Sequence, residues 1–178
     1  MTEHETEQNT KYCETQPVEY QVYELLKKHH LTLSTAESAT GGMIASMLVN
    51  VPGVSQFFTE GYVTYSNDAK VKMIGVDAAL IEEFGVVSKE VAENMAISVS
   101  KTANSDAALS VTGVAGPDGG TTECPVGTVY IGCFCKGTTT VEHHVFCGDR
   151  QAVRSQTAKR ALVLLMECIE TFISENNS

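Results

Sequence analysis

An apolar-alternating run, Leu31 to Ala36, stops at Glu37-Ser38, and a turn of small residues leads through Gly42 into Met43-Ile44-Ala45-Ser46-Met47-Leu48-Val49. The periodicity changes from two to that of a helix across this turn, so the stretch reads as strand, turn, helix with a serine at the bend. Such a bend presents the Ser38 hydroxyl beside the N–H groups of a helix start. Those groups, with the positive end of the helix dipole, can hold an oxyanion or a phosphate. Ser38 and Thr40 would serve equally well as ordinary helix caps.

The rest of the chain repeats the alternation. A helix is expected from Pro17 to His30, with Val18, Val22, Leu25 and Leu26 at helical spacing. A second strand is expected over Gly61–Tyr65, and Ser66 can cap a short helix from Asn67 to Ile74. Another helical turn is expected over Ala78–Phe84. A longer helix, from Ser88 to Thr102, carries Val91, Met95, Val99 and Ala103 on one face. A third strand, Ala107–Thr112, runs into the glycine-rich Gly113–Gly120. Two further strands, Gly127–Cys135 and Thr139–Cys147, form a hairpin about Lys136-Gly137, and a closing helix is expected from Asp149 to Ile173. Early βα alternation with a late hairpin predicts a three-layer α/β/α sandwich on a mixed, mostly parallel sheet. Residues 17–174 are expected to form this single domain. Residues 1–16, which lack apolar periodicity, are expected to be a mobile polar arm.

Composition narrows the function. The net charge of −10 argues against a nucleic-acid surface, although a few local donors still allow a small anionic ligand. No run of about 18 apolar residues predicts a membrane span, and the polar, acidic start does not read as a secretory signal. Six cysteines show no disulfide-framework spacing, so reduced thiols in a cytoplasm are expected.

If the first three strands are parallel, the loops Glu37–Gly42, Ser66–Lys70 and Thr112–Gly120 meet at their carboxyl ends, where such sheets bind ligands. A Ser38 nucleophile needs a base. None of the five histidines (His4, His29, His30, His143 and His144) lies in these loops. Lys70 falls in the first turn of the helix capped by Ser66. A cation there is opposed by the dipole, which favours the neutral amine. To work as a base it must titrate about 3 units below its usual ~10.4. Tyr65 is placed to approach both. Arg150 and Arg154, one turn apart at a helix start, would be reconciled by an anion between them. Cys133, Cys135, His143 and Cys147 supply four candidate zinc ligands on the hairpin. Their spacing lacks the usual knuckle turn, and buried apolar cysteines explain it more simply.

These segments together resemble the CinA C-terminal domain family. Thr35-Ala36-Glu37-Ser38-Ala39-Thr40-Gly41-Gly42 is similar to its TAESCTGG motif. Tyr65-Ser66-Asn67-Asp68-Ala69-Lys70, Thr112–Gly120, Pro125–Val129 and Gly148-Asp149-Arg150 follow in the family's order. The chain resembles the single-domain, PncC-type form, without the separate N-terminal domain of longer members. The resemblance implies a nicotinamide-nucleotide amidase that converts nicotinamide mononucleotide to nicotinate mononucleotide and ammonia. It also implies Ser38 as nucleophile, Lys70 as general base and Tyr65 as the residue that orients or tunes them. Thr112 and Gly113 fall where the family meets its ligand. Helix-start N–H groups over Thr40, Gly41 and Gly42 are expected to hold the oxyanion, and Arg150 the 5′-phosphate. Tyr62 and Phe58 are candidates to stack on the pyridinium. No metal or organic cofactor is expected, and a homodimer is the assembly expected if the chain oligomerises. The motif's cysteine is Ala39 here, which leaves Ser38 as the one nucleophile of the turn. The alternative is a non-catalytic domain that binds a nucleotide or a protein partner.

Overall fold

The computed structural model describes residues 16–176, so the polar arm expected over 1–16 lies, apart from Gln16, outside the described residues. Six helices and five strands follow in the order α1 (Val18–His29), β1 (Leu33–Glu37), α2 (Met43–Leu48), β2 (Phe58–Val63), α3 (Asn67–Ile74), α4 (Ala78–Phe84), α5 (Lys89–Ala103), β3 (Ala107–Gly113), β4 (Thr128–Cys135), β5 (Thr138–Val145) and α6 (Arg150–Asn176). The sheet order is β2-β1-β3-β4-β5. Strands β1, β2 and β3 are mutually parallel, while β4 is antiparallel to both β3 and β5. The expected α/β/α sandwich with a mixed sheet and a late hairpin is therefore present. The carboxyl ends of β1, β2 and β3 lie along one edge.

Alternation along the central strands creates two cores. Leu33 of β1 and Leu109 and Val111 of β3 join Val22, Leu26, Ile44, Leu162 and Leu165 beneath α1, α2 and α6. Ala36 and Ala108 point the other way, to Val91, Met95 and Val99 of α5. Each large aliphatic side chain buried this way contributes about 1.5–3 kcal/mol. Small residues let α5 lie close to the sheet: the Ser110 hydroxyl donates to the Ala92 carbonyl at 2.6 Å. A Cβ on Gly132 would lie 2.5 Å from that hydroxyl oxygen and 2.7 Å from that carbonyl, so only glycine fits there.

Several boundaries differ from expectation. β2 starts at Phe58 rather than Gly61, because Phe58 already pairs with Leu33 and packs against the first core. It ends at Val63, since the Thr64 N–H is the last to bond to β1, donating to the Glu37 carbonyl at 2.8 Å. α6 continues to Asn176. The hairpin turn is where it was expected: Lys136 (φ 47°) and Gly137 (φ 100°) both adopt the left-handed backbone that a two-residue turn between twisted strands requires. Lys136 is anchored there by Asp106 at 2.6 Å.

Candidate active site

The serine and the lysine meet. Ser38 is the first residue beyond β1, and its N–H donates to the Val111 carbonyl of β3 at 3.0 Å, so it keeps sheet register while the chain turns away. Lys70 lies one turn into α3, whose start is capped by the Ser66 hydroxyl accepting the Ala69 N–H. Its side chain is fully buried. Lys70 Nζ lies 3.1 Å from Ser38 Oγ and 2.9 Å from the Thr64 carbonyl oxygen. No carboxylate pairs with it among the described residues. Burial without a counter-ion disfavours the ammonium and lowers the Lys70 pKa to about 8. Lys70 Nζ donates to the Thr64 carbonyl and to Ser38 Oγ, and once the amine is neutral its lone pair can face the serine hydroxyl in place of the second N–H. This is the geometry of a nucleophile beside its base.

Around the pair lies a cleft of about 240 Å³, lined by Ser38, Ala39, Tyr65, Asn67, Lys70, Val86, Val87, Thr112, Gly113, Ala115 and Arg150. Two of these, Lys70 and Arg150, are basic and none is an acid, although the chain carries a net −10. No histidine lines it.

The other expected site residues are distributed less simply. Tyr65 lies beyond the end of β2 and is 62% exposed at the cleft mouth. Its hydroxyl accepts from Arg150 Nη2 at 3.0 Å, and no hydrogen bond joins it to Ser38 or Lys70. The contact from this strand end to the lysine comes instead from the Thr64 carbonyl. Arg150 also donates through Nη1 to the Gly116 carbonyl at 2.7 Å, tying the glycine-rich loop to the cleft. Thr112 is buried and gives its hydroxyl proton to the Val86 carbonyl at 2.6 Å. At Gly113 an added Cβ would sit 2.6 Å from the Thr128 carbonyl, so the approach of β4 explains this glycine.

The helix-start donors were expected to be free, and most are taken. Gly41 N–H donates to the Ser38 carbonyl at 3.0 Å. The Glu37 carboxylate, 1% exposed, accepts from the N–H groups of Gly42 (3.0 Å), Ile44 (3.0 Å) and Ala45 (2.8 Å). The cause lies in the turn itself: α2 has Gly42 at its cap position, which brings no capping side chain, and Glu37 supplies one from the strand. Among the described residues the N–H groups of Ala39 and Thr40 have no acceptor. Thr40 keeps its hydroxyl buried without a partner. Its carbonyl accepts from Arg154 Nη2 at 2.7 Å and Nε at 3.3 Å. The two arginines thus turn to different partners, and no anion is needed to reconcile them.

Glu37 was assigned no role from sequence, and Arg154 was read only as half of an anion site with Arg150. A carboxylate at the end of an apolar run, shortly before a helix whose cap position is a glycine, was the available signal for Glu37. The candidate zinc set does not converge. Cys133 pairs across the hairpin with Thr140, whereas His143 pairs with Tyr130 on the opposite face and stacks on its ring at 4.7 Å. Tyr62 bonds to Glu60, and Phe58 packs against the first core; neither lines the cleft.

The fold and cleft define an α/β domain with a serine–lysine pair at the carboxyl edge of its parallel strands. Residues 15–169 match the family model of the CinA C-terminal domain, and the chain belongs to that family. It is 56% identical over 138 residues to a CinA-like protein of Citrifermentans bemidjiense and 51% identical over 141 residues to one of Kosmotoga olearia. These matches cover 78% and 79% of this chain, respectively, and the chain spans about a third (33–34%) of the length of these curated relatives. Among solved structures, the competence/damage inducible protein CihA from Agrobacterium tumefaciens superimposes with a TM-score of 0.82 at 35% identity, covering 84% of this chain and 92% of that one. A CinA superfamily protein from Escherichia coli gives 0.81 at 33% identity, covering 88% and 92%. In the described residues no helix is long and apolar enough to cross a membrane.

Proposed function

We propose that this domain hydrolyses the carboxamide of nicotinamide mononucleotide, releasing ammonia and nicotinate mononucleotide through an ester on Ser38. The observation that carries the reading is the buried, counter-ion-free Lys70 amine 3.1 Å from Ser38 Oγ. Lys70 takes the serine proton as Oγ attacks the carboxamide carbon. The carbonyl oxygen becomes an oxyanion, and the unengaged N–H groups of Ala39 and Thr40 are its donors; a well-placed donor of this kind is worth about 2.7–4 kcal/mol. The Thr64 carbonyl steadies the ammonium that forms on Lys70. That ammonium then returns its proton to the departing nitrogen, ammonia leaves, and water cleaves the ester with Lys70 as base again.

The acid-free cleft supports an anionic substrate, and Arg150 is the residue in this reading that meets the 5′-phosphate, exchanging its bond to Tyr65 for one to a phosphate oxygen. Tyr65 then acts at the cleft mouth through Arg150. The reaction belongs to the cytoplasm, where its nucleotide substrate is held.

Purified protein given nicotinamide mononucleotide is expected to release ammonia, and Ser38→Ala and Lys70→Ala to stop the release without unfolding the domain. Nucleotide-dependent thermal stabilisation with no ammonia from the wild-type protein would instead favour a non-catalytic binding domain.

A further inference from the structure

We propose that Glu37 and Arg154 are positioning residues that hold the Ser38 turn, one from β1 and the other from α6, so that the amides following the nucleophile stay free. The catalytic half of this inference rests on the amidase reading; the structural half rests on geometry alone.

Both oxygens of the buried Glu37 carboxylate are occupied by three amides at the start of α2. The Glu37 backbone carbonyl receives the Thr64 N–H at 2.8 Å, and the Thr64 carbonyl receives Lys70 Nζ at 2.9 Å. One residue therefore ties the end of β1 to α2 on one side and to the strand end carrying the lysine's acceptor on the other. An apolar residue here would leave three amides without partners, at a cost typical of unsatisfied buried groups.

Arg154 reaches the same turn from α6, across 114 positions of sequence, and sets two N–H groups on the Thr40 carbonyl. That carbonyl shares a peptide plane with the Gly41 N–H, which donates to the Ser38 carbonyl. The plane is thus pinned at both ends. A flip of this peptide would break the bond to Ser38 and redirect a carbonyl oxygen within the turn. The guanidinium fork suits the task, since two of its N–H groups converge on one oxygen in a fixed plane. With the peptides on either side of Gly41 held in this way, the unengaged amides left next to Ser38 are those of Ala39 and Thr40.

Arg154→Met and Arg154→Lys, made in the full chain, test the clamp by amide hydrogen exchange and by ammonia release from nicotinamide mononucleotide. In Arg154→Met, exchange across residues 38–45 is expected to rise roughly tenfold while α5 and β3 keep theirs, as local rather than global opening demands. The kcat is expected to fall roughly a hundredfold, the scale of a small misplacement of reacting groups, with KM within about twofold of wild type. Arg154→Lys, which keeps one N–H for the Thr40 carbonyl, is expected to recover part of both. Glu37→Gln, with one acceptor oxygen for three amides, is expected to show the same split with faster exchange at Gly42, Ile44 and Ala45. Unchanged exchange over residues 38–45, or wild-type kcat in Arg154→Met, overturns the proposal. If the wild-type protein releases no ammonia, the amidase reading falls, and the exchange measurement still decides the clamp.

Discussion

At the carboxyl edge of β1 and β2 a buried amine has no counter-ion; between β5 and α6 the charged groups answer one another. In the second region Arg160 Nε donates to Glu142 at 2.7 Å, and another guanidinium nitrogen reaches Glu167 at 2.6 Å. His144 bonds to the same Glu142 at 2.7 Å. The Arg160 guanidinium holds the Glu142 carboxyl down to about 2. In the first region burial alone lowers Lys70, and nothing charged relieves it. A paired cluster is an arrangement for stability. An isolated amine beside a serine hydroxyl costs stability, which is what the proposed chemistry would require.

The largest effects are expected from removing the serine or the amine. Ser38→Ala and Lys70→Ala are expected to lower ammonia release by roughly a thousandfold or more, as loss of a nucleophile or its base does elsewhere, while circular dichroism stays that of the wild type. The equivalent change in the paired region, Arg160→Met, is expected to leave kcat/KM unaltered. Arg150→Ala should raise KM by roughly ten- to a hundredfold, the loss of a charge-assisted contact, and leave kcat much closer to wild type. Steady-state titration with nicotinamide mononucleotide separates the two constants.

The two regions should also respond to pH in different windows, one alkaline and one acidic. On the amidase reading activity needs neutral Lys70, so kcat/KM is expected to climb about tenfold per pH unit up to a plateau near pH 8. Stability follows the same group. The folded chain holds the Lys70 proton less tightly than the unfolded chain, so this contribution to stability rises with pH between about 8 and ~10.4. Glu142 behaves as a carboxylate with a depressed pKa. Its contribution is present above ~4.3 and is lost as pH falls toward about 2. Melting curves over pH 2–10 on Lys70→Met and Glu142→Gln, with the wild type, should assign each limb to its residue.

The smallest effects are on stability at neutral pH. Lys70→Met replaces a buried amine that has no counter-ion with an apolar side chain of similar length and is expected to raise the melting temperature by about 2–6 °C, with ammonia release lost if the amidase reading holds. Arg160→Met leaves two carboxylates facing each other and should lower it by a similar amount. Differential scanning calorimetry reads both.

The layered fold was legible because strand and helix periods alternate without ambiguity from Leu31 onward, and the hairpin carries its own turn residues. The Ser38–Lys70 pair was legible for a related reason: a strand end and a capped helix start are local signals, and parallel strands bring their ends to one edge. What stayed hidden was every contact that joins distant parts through backbone atoms. Nothing near Thr64 announces that its carbonyl will face an amine. Arg154 and Thr40 are 114 residues apart, and the charge of Arg154 pointed to an anion rather than to a carbonyl. The helix-start amides looked free because the residue that fills them is itself part of the strand. Tyr65 was placed at the right edge but facing a different partner, because β2 stops two residues before it.

The most direct test is intact-mass analysis of protein mixed with nicotinamide mononucleotide and quenched in acid within the first turnovers. An added mass equal to the substrate less ammonia is expected, localised to the peptide carrying Ser38, absent in Ser38→Ala, and accumulating faster at pH 8 than at pH 6. Ammonia released at the wild-type rate by Ser38→Ala would contradict an ester on Ser38.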